Sequence, residues 1–127
     1  MNITHIALTC SSEEKADRFY AGLLGLQKQP PKTVAAEVSG AIFGIDSELK
    51  VINYINEKIR FEMFVDNAGI SNGRRIDHVC FEVEDLEAFL QECRRAGADT
   101  IQVPKDDYLV TFIKDFDGNL FEVKENI

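Results

Sequence analysis

The feature that most constrains this chain is that it begins twice. Ile3-Thr4-His5-Ile6-Ala7-Leu8 and Ile76-Asp77-His78-Val79-Cys80-Phe81 share an Ile-x-His-hydrophobic opening, and their histidines lie 73 positions apart. These are the only two histidines in the sequence. Each opening alternates as a strand does, with Thr4, Ile6, Leu8 and Cys10 on one face and Ile3, His5, Ala7 and Thr9 on the other in the first copy. A helix signal follows both times. Ser11-Ser12-Glu13-Glu14 offers an N-cap with carboxylates in the first turn, where they complement the helix dipole, and Glu84-Asp85 opens the second helix. The apolar stripes are Ala16, Phe19, Tyr20, Leu23 and Leu24, then Leu86, Phe89, Leu90, Cys93 and Ala96. Gly22 and Gly25 flank the end of the first helix and Gly97 stops the second. The spacing predicts helices over about 12–24 and 85–96.

Extended segments close each half. Residues 41–45, 50–55 and 59–65 read as strands in the first, with Asn56-Glu57-Lys58 as a turn. Residues 100–103, 108–113 and 119–124 do so in the second, with a hairpin turn at Asp115-Phe116-Asp117-Gly118. Pro30-Pro31 breaks the chain after the first helix, and the Gly-, Asn- and Ser-rich stretch 68–75 is a natural linker. The organisation expected is one domain over residues 1–127: module one at 1–68, a linker at 69–73 and module two at 74–127.

Composition narrows the partners. A chain of 127 residues is one domain's worth, able to bury roughly two-thirds of its unfolded surface. A net charge of −8 argues against nucleic acid and against an anionic membrane surface. No basic leader or membrane-length apolar run is visible. Three cysteines, Cys10, Cys80 and Cys93, lack metal-ligand spacing and read as reduced core thiols of a cytoplasmic protein.

One strand-helix-strands unit cannot bury the face of its small sheet alone. Two units can join their sheets into a curved mixed sheet with both helices on its convex face, an α+β fold of two tandem βαβββ modules. Over essentially the whole chain this resembles the vicinal-oxygen-chelate superfamily, the glyoxalase, bleomycin-resistance and dioxygenase family. The resemblance rests on His5-Ile6-Ala7-Leu8, Phe19-Tyr20 with Leu24-Gly25-Leu26, His78-Val79-Cys80-Phe81-Glu82-Val83, and Asp115-Phe116-Asp117-Gly118-Asn119-Leu120-Phe121-Glu122. The last is close to the family's D-P-D-G-x-x-x-E ending, with Phe116 in place of proline.

Alternation also orients the polar residues. His5 lies opposite Ile6 and Leu8, and His78 opposite Val79, Phe81 and Val83, so both histidines are expected on the concave side. Phe61, Met63 and Val65 form an apolar face, which sends Arg60, Glu62 and Phe64 the other way; Phe121 and Val123 likewise send Glu122 inward. A lone strand histidine is more often a core residue than a ligand, and a lone glutamate is more often solvated. Here His5, Glu62, His78 and Glu122 fall at equivalent places in two repeats, a mixed nitrogen and oxygen set suited to a six-coordinate divalent ion. Glu37 and Glu82 are the rival carboxylates.

The four positions match the His/Glu/His/Glu metal set of glyoxalase I. The resemblance therefore implies a divalent metal (Ni, Zn, Co, Mn or Fe) and a lyase or isomerase that converts the hemithioacetal of a 2-oxoaldehyde and a thiol through a stabilised enediolate. Glu62 and Glu122 would then be both ligands and candidate catalytic bases. Short glyoxalase I enzymes usually carry an arginine four residues after the first histidine; Thr9 stands there, leaving Arg60, Arg74 and Arg75 as cationic candidates for substrate binding. Three alternatives remain within the same fold. They are an acyl-CoA epimerase, which typically has glutamine where Glu62 stands, an extradiol dioxygenase, and a non-catalytic binder of a small molecule such as an antibiotic. Small members of the family commonly pair, so a homodimer is expected, with the four groups meeting either within one chain or across the dimer.

Overall fold

The computed structural model describes residues 1–69, 76–114 and 120–126, Leu23 by its backbone alone. Its fold is α+β, a curved mixed sheet of nine strands with helices on both sides. The strands are β1 (Asn2–Cys10), β2 (Gln27–Lys28), β3 (Lys32–Val34), β4 (Leu49–Ile55), β5 (Arg60–Val65), β6 (His78–Val83), β7 (Thr100–Lys105), β8 (Tyr108–Lys114) and β9 (Leu120–Glu125). Their order is β2-β4-β5-β1-β6-β9-β8-β7, and β3 pairs with β4 beside β2.

The two openings meet at the centre. β1 runs antiparallel to β6, with Ala7 opposite His78 and His5 opposite Cys80. Outward from this pair the two halves repeat one another, for β1 is parallel to β5 as β6 is to β9, and the next partners, β4 and β8, are antiparallel. Pairing of β1 with β6 joins the halves within a single chain. The expected linker, residues 69–73, and the turn at 115–118 lie largely outside the described residues.

Two apolar layers follow from strand alternation. On the convex face Ala16, Leu26, Ile52, Tyr54 and Met63 form one core, with Leu8, Tyr20, Phe61 and Val65 packed against it. On the concave face Ala7, Leu49, Val51, Phe64, Ile76, Val110 and Phe112 form another. Alternation fails at one point in β1, where the register shifts between Ile3 and His5. Ile3 was expected to share the face of His5 but is 71% exposed.

The first expected helix forms with a change of winding. α1 (Glu13–Ala16) is capped by Ser12, whose Oγ accepts from the Lys15 N–H, and it runs straight into a π-helical segment, Asp17–Leu23. Wider turns advance the chain less per residue than an α-turn, so an apolar stripe spaced for 3.6 residues per turn drifts out of phase. Phe19 and Leu24, expected on the buried face, are consequently about half exposed, while Tyr20 stays packed between Tyr54 and Phe61. The second expected helix, numbered α3 here (Leu86–Ala96), is capped by Asp85, which accepts from the Ala88 N–H, and ends in the left-handed conformation at Gly97. It buries Leu90 and sets Phe89 against Phe81.

A larger correction concerns residues 41–45. Instead of a strand, they hold the end of a helix not foreseen at all, α2 (Ala36–Phe43), closed by Gly44 in the left-handed conformation, and Ile45 beyond it. Nor does it join the other helices on the convex face. Its Val38, Ile42 and Phe43 pack into the concave core with Leu49 and Val51 of β4 and Val110 and Phe112 of β8, while Ile101 and Val103 of β7 pack against the same cluster. An eight-residue helix whose apolar side chains run almost all round it is stable only when buried, and the hollow of the sheet provides that burial. α2 thus spans the concavity and floors the cavity within it.

Candidate metal centre

The concave hollow holds a cavity of about 180 Å³. Glu62, His78 and Glu122 line it, beside Phe43, Phe64 and Phe112. With His5 these make a cluster in which one ligand-type atom from each of the four residues lies within 4.8 Å of all the others. Nε2 of His5 is 3.3 Å from Nε2 of His78, 3.2 Å from Oε1 of Glu122 and 3.8 Å from Oε2 of Glu62. Nε2 of His78 is 3.6 Å from the same Glu122 oxygen.

Sheet register explains the convergence. Glu62 on β5 stands beside Ala7 of β1, which stands beside His78 of β6. Cys80, two residues along β6, stands beside both His5 and Glu122. The four side chains therefore occupy two adjacent rows across four central strands, all on the concave face. Both histidines are buried, and the carboxylates are 20% and 13% exposed.

One hydrogen bond fixes the chemistry of His78. Its Nδ1–H donates to the Ile76 carbonyl at 2.6 Å, which orients the ring and leaves Nε2 to face the cluster. Aromatic rings of Phe43, Phe64 and Phe112 surround the imidazole at centroid distances of 6.0, 6.1 and 5.0 Å. For His5 the second nitrogen lies 3.5 Å from Thr4 Oγ1. Burial alone would raise the pKa of Glu122, but hydrogen bonds from His5 and His78 outweigh it and hold the carboxyl down at about 2. Glu122 is therefore a carboxylate throughout the ordinary pH range. Burial first, and then the Glu122 charge, push the Cys80 thiol up to about 12, so Cys80 is an inert core thiol.

This donor set fits a divalent cation. Ligands about 2.0–2.2 Å from an ion stand roughly 3 Å apart when adjacent and about 4 Å apart when opposite, and His5 Nε2 already lies 3.2–3.8 Å from a donor atom of each of the other three. Two imidazoles and two carboxylates leave room for exchangeable oxygen ligands on the cavity side.

The rival carboxylates stand elsewhere. Glu37 is exposed on α2, and Glu82 and Thr4 line an adjoining depression that shares Arg60 and Lys124 with the main cavity. Arg60 lines the main cavity; Arg74 and Arg75 are outside the described residues. Thr9 donates to Asp77 at 3.1 Å. Other cavity residues were missed. Asn53 could have been found, because it alternates inward with Leu49 and Val51 of β4. Lys32 and Phe43 could not, since neither β3 nor α2 was foreseen.

Comparison with known proteins agrees with this architecture. A family model described as glyoxalase/bleomycin resistance protein/dioxygenase superfamily matches residues 4–112. A search of curated proteins by sequence returned no match. Among solved structures, hypothetical protein BH1468 from Bacillus halodurans is similar with 21% identity and a TM-score of 0.71, over 98% of this chain and 94% of that one. A methylmalonyl-CoA epimerase from Mycobacterium tuberculosis is similar with 15% identity and a TM-score of 0.70, over 99% and 88%. A Streptomyces coelicolor methylmalonyl-CoA epimerase variant in complex with 2-nitronate-propionyl-CoA has 18% identity and a TM-score of 0.66, over 97% and 95%. At such identities the likeness is one of fold, and the family match over most of the chain carries the assignment: the protein belongs to the glyoxalase/bleomycin resistance protein/dioxygenase superfamily.

Proposed function

We propose that the protein is a metal-dependent lyase or isomerase that moves a proton between neighbouring carbons of a small carbonyl compound, as glyoxalase I does with a hemithioacetal. The observation that carries this reading is the convergence of His5, Glu62, His78 and Glu122 within 4.8 Å at the wall of an aromatic-lined cavity. A bound divalent ion would supply a Lewis acid able to hold an oxygen pair and stabilise an enediolate. His5 and His78 each turn Nε2 toward the place such an ion would take, and the hydrogen bond from Nδ1 to Ile76 fixes the orientation of the His78 ring. Glu62 and Glu122 can each take a proton from carbon and return it to the neighbour. Of the two, Glu62 is the more exposed and makes one histidine contact against the two of Glu122, which leaves it the freer base. Phe43, Phe64 and Phe112 keep water from one side of the reacting carbons.

An acyl-CoA epimerase is the second reading, favoured by the overall fold likeness to methylmalonyl-CoA epimerases. It shares the proton transfer but not the substrate. Metal analysis of protein purified without an affinity tag, followed by turnover assays with a methylglyoxal hemithioacetal and with a methylmalonyl thioester, separates the two. About one divalent ion per chain and metal-stimulated turnover without oxygen consumption are expected. Oxygen-dependent turnover would indicate a dioxygenase. A chain that binds no metal and turns over neither compound would leave a binding protein as the better reading.

A further inference from the structure

The lip of the cavity carries a charge opposite to that of the protein. Lys32 on β3, Arg60 on β5, Lys105 on β7 and Lys124 on β9 all line it, in a chain of net charge −8. Against these four cations stand two lining carboxylates, Glu62 and Glu122. Among the described residues none of the four is ion-paired, whereas Lys28 and Lys50 both hold Glu13. Four strands from both halves of the sheet thus bring like charges around one opening. Their mutual repulsion is relieved by an anion entering it.

A second observation lies deeper. Asn53 is 4% exposed, lines the same cavity and stands opposite Glu62 in the β4–β5 register. Its Oδ1 is the one buried side-chain polar atom among the described residues without a hydrogen-bond partner. A buried acceptor left bare costs stability, and such a cost is commonly retained where a ligand repays it. The missing partner is a donor, a hydroxyl or an N–H.

We propose that the group entering this cavity is a hydroxy acid or amino acid moiety, its carboxylate held by the rim of Lys32, Arg60, Lys105 and Lys124 and its O–H or N–H donated to Asn53. This rests on the proton-transfer reading only for which oxygens face His5 and His78. The preference for an acid follows from the rim and from Asn53. The cavity, about 180 Å³, is open at this rim, so it admits such a moiety while anything larger attached to it would lie outside. The acid is therefore either free or the terminal part of a larger thioester.

Calorimetric titration tests this with L-malate and its neutral diamide, in the metal-free and the zinc-loaded protein. Malate is expected to bind at least tenfold more tightly than the diamide in both forms. In the double variant Lys32→Met/Lys105→Met, which alters only side chains at the rim, the preference should shrink to about twofold. Asn53→Leu should weaken malate at least fivefold while raising the thermal unfolding midpoint, because it removes the bare amide; Asn53→Ser repeats the binding test with less change in packing. A malyl thioester of a short thiol binding more tightly than malate assigns the carried form, and weaker binding assigns the free acid. Equal affinity for malate and its diamide, or an undiminished preference in the double variant, overturns the proposal. Because the metal-free arm reads the rim alone, failure to bind zinc would sink the proton-transfer reading and leave this result standing.

Discussion

The position of one proton decides what His78 can do. With Nδ1–H committed to the Ile76 carbonyl, only Nε2 remains for the cluster. Glu122 is held as a carboxylate by both histidines and supplies charge as well as an oxygen. Glu122→Gln removes that charge with almost no change in shape. It should lower zinc affinity at least tenfold in a competition titration with a chelating dye, in line with the tenfold to hundredfold losses seen when even the supports of metal ligands are removed. Glu82→Gln, outside the four-residue cluster, should stay within about twofold of the parent. Equal losses in the two variants would mean that the four-residue cluster is not where the ion sits.

At the scale of elements, small polar devices hold the helices to the sheet. Glu13 at the start of α1 is bridged by Lys28 of β2, at 2.6 Å, and by Lys50 of β4. The hydrogen bonds from Lys28 and then Lys50 pull its carboxyl down from 4.5 to about 2. A carboxyl depressed on folding stabilises the folded state above its unfolded pKa, and the contribution fades as pH falls from about 4.5 toward 2. NMR titration should find the Glu13 midpoint near the lower value and moved upward in Lys28→Met; a midpoint near 4.5 in the parent would contradict the bridge. The end of α3 gives a cleaner test. Gly97 has φ of 87°, and a Cβ there would meet nothing within 4 Å, so Gly97→Ala pays only the left-handed backbone penalty, about 1–2 kcal/mol by chemical denaturation.

For the whole molecule, α2 matters most because it ties the concave core to the site. Phe43 packs on Phe64, Phe112 and the His78 ring together. Leu90 of α3 is fully buried too but lies outside the core cluster that holds Phe43. Truncating Phe43 to Ala should cost about 3–5 kcal/mol and Leu90 to Ala about 2–5 kcal/mol. Only Phe43→Ala should also weaken metal binding, since it frees His78 to tilt; equal metal affinity in the two variants would show that α2 is a floor and nothing more. A homodimer is expected at micromolar concentration, and sedimentation at the 14.3 kDa monomer mass would count against it.

What the sequence determined by itself was whatever repeats or alternates. Strand alternation is a local property of the chain, so the inward direction of His5, Glu62, His78 and Glu122 could be read from Ile6, Val79, Met63 and Val123 on the opposite faces. The positions of α1 and α3 were equally legible from their caps and glycines. Local pattern could not foresee α2, because Ala36–Phe43 lacks a polar face and earns its helical state only by burial in a hollow formed by distant strands. The π-winding after Ala16 likewise left no mark in a stripe spaced for an ordinary helix. Tertiary structure alone decided that β1 pairs with β6 inside one chain, which brings the two His/Glu pairs together, and that four scattered cations ring a single opening. Both depend on contacts between residues far apart in the chain, and no local periodicity records those.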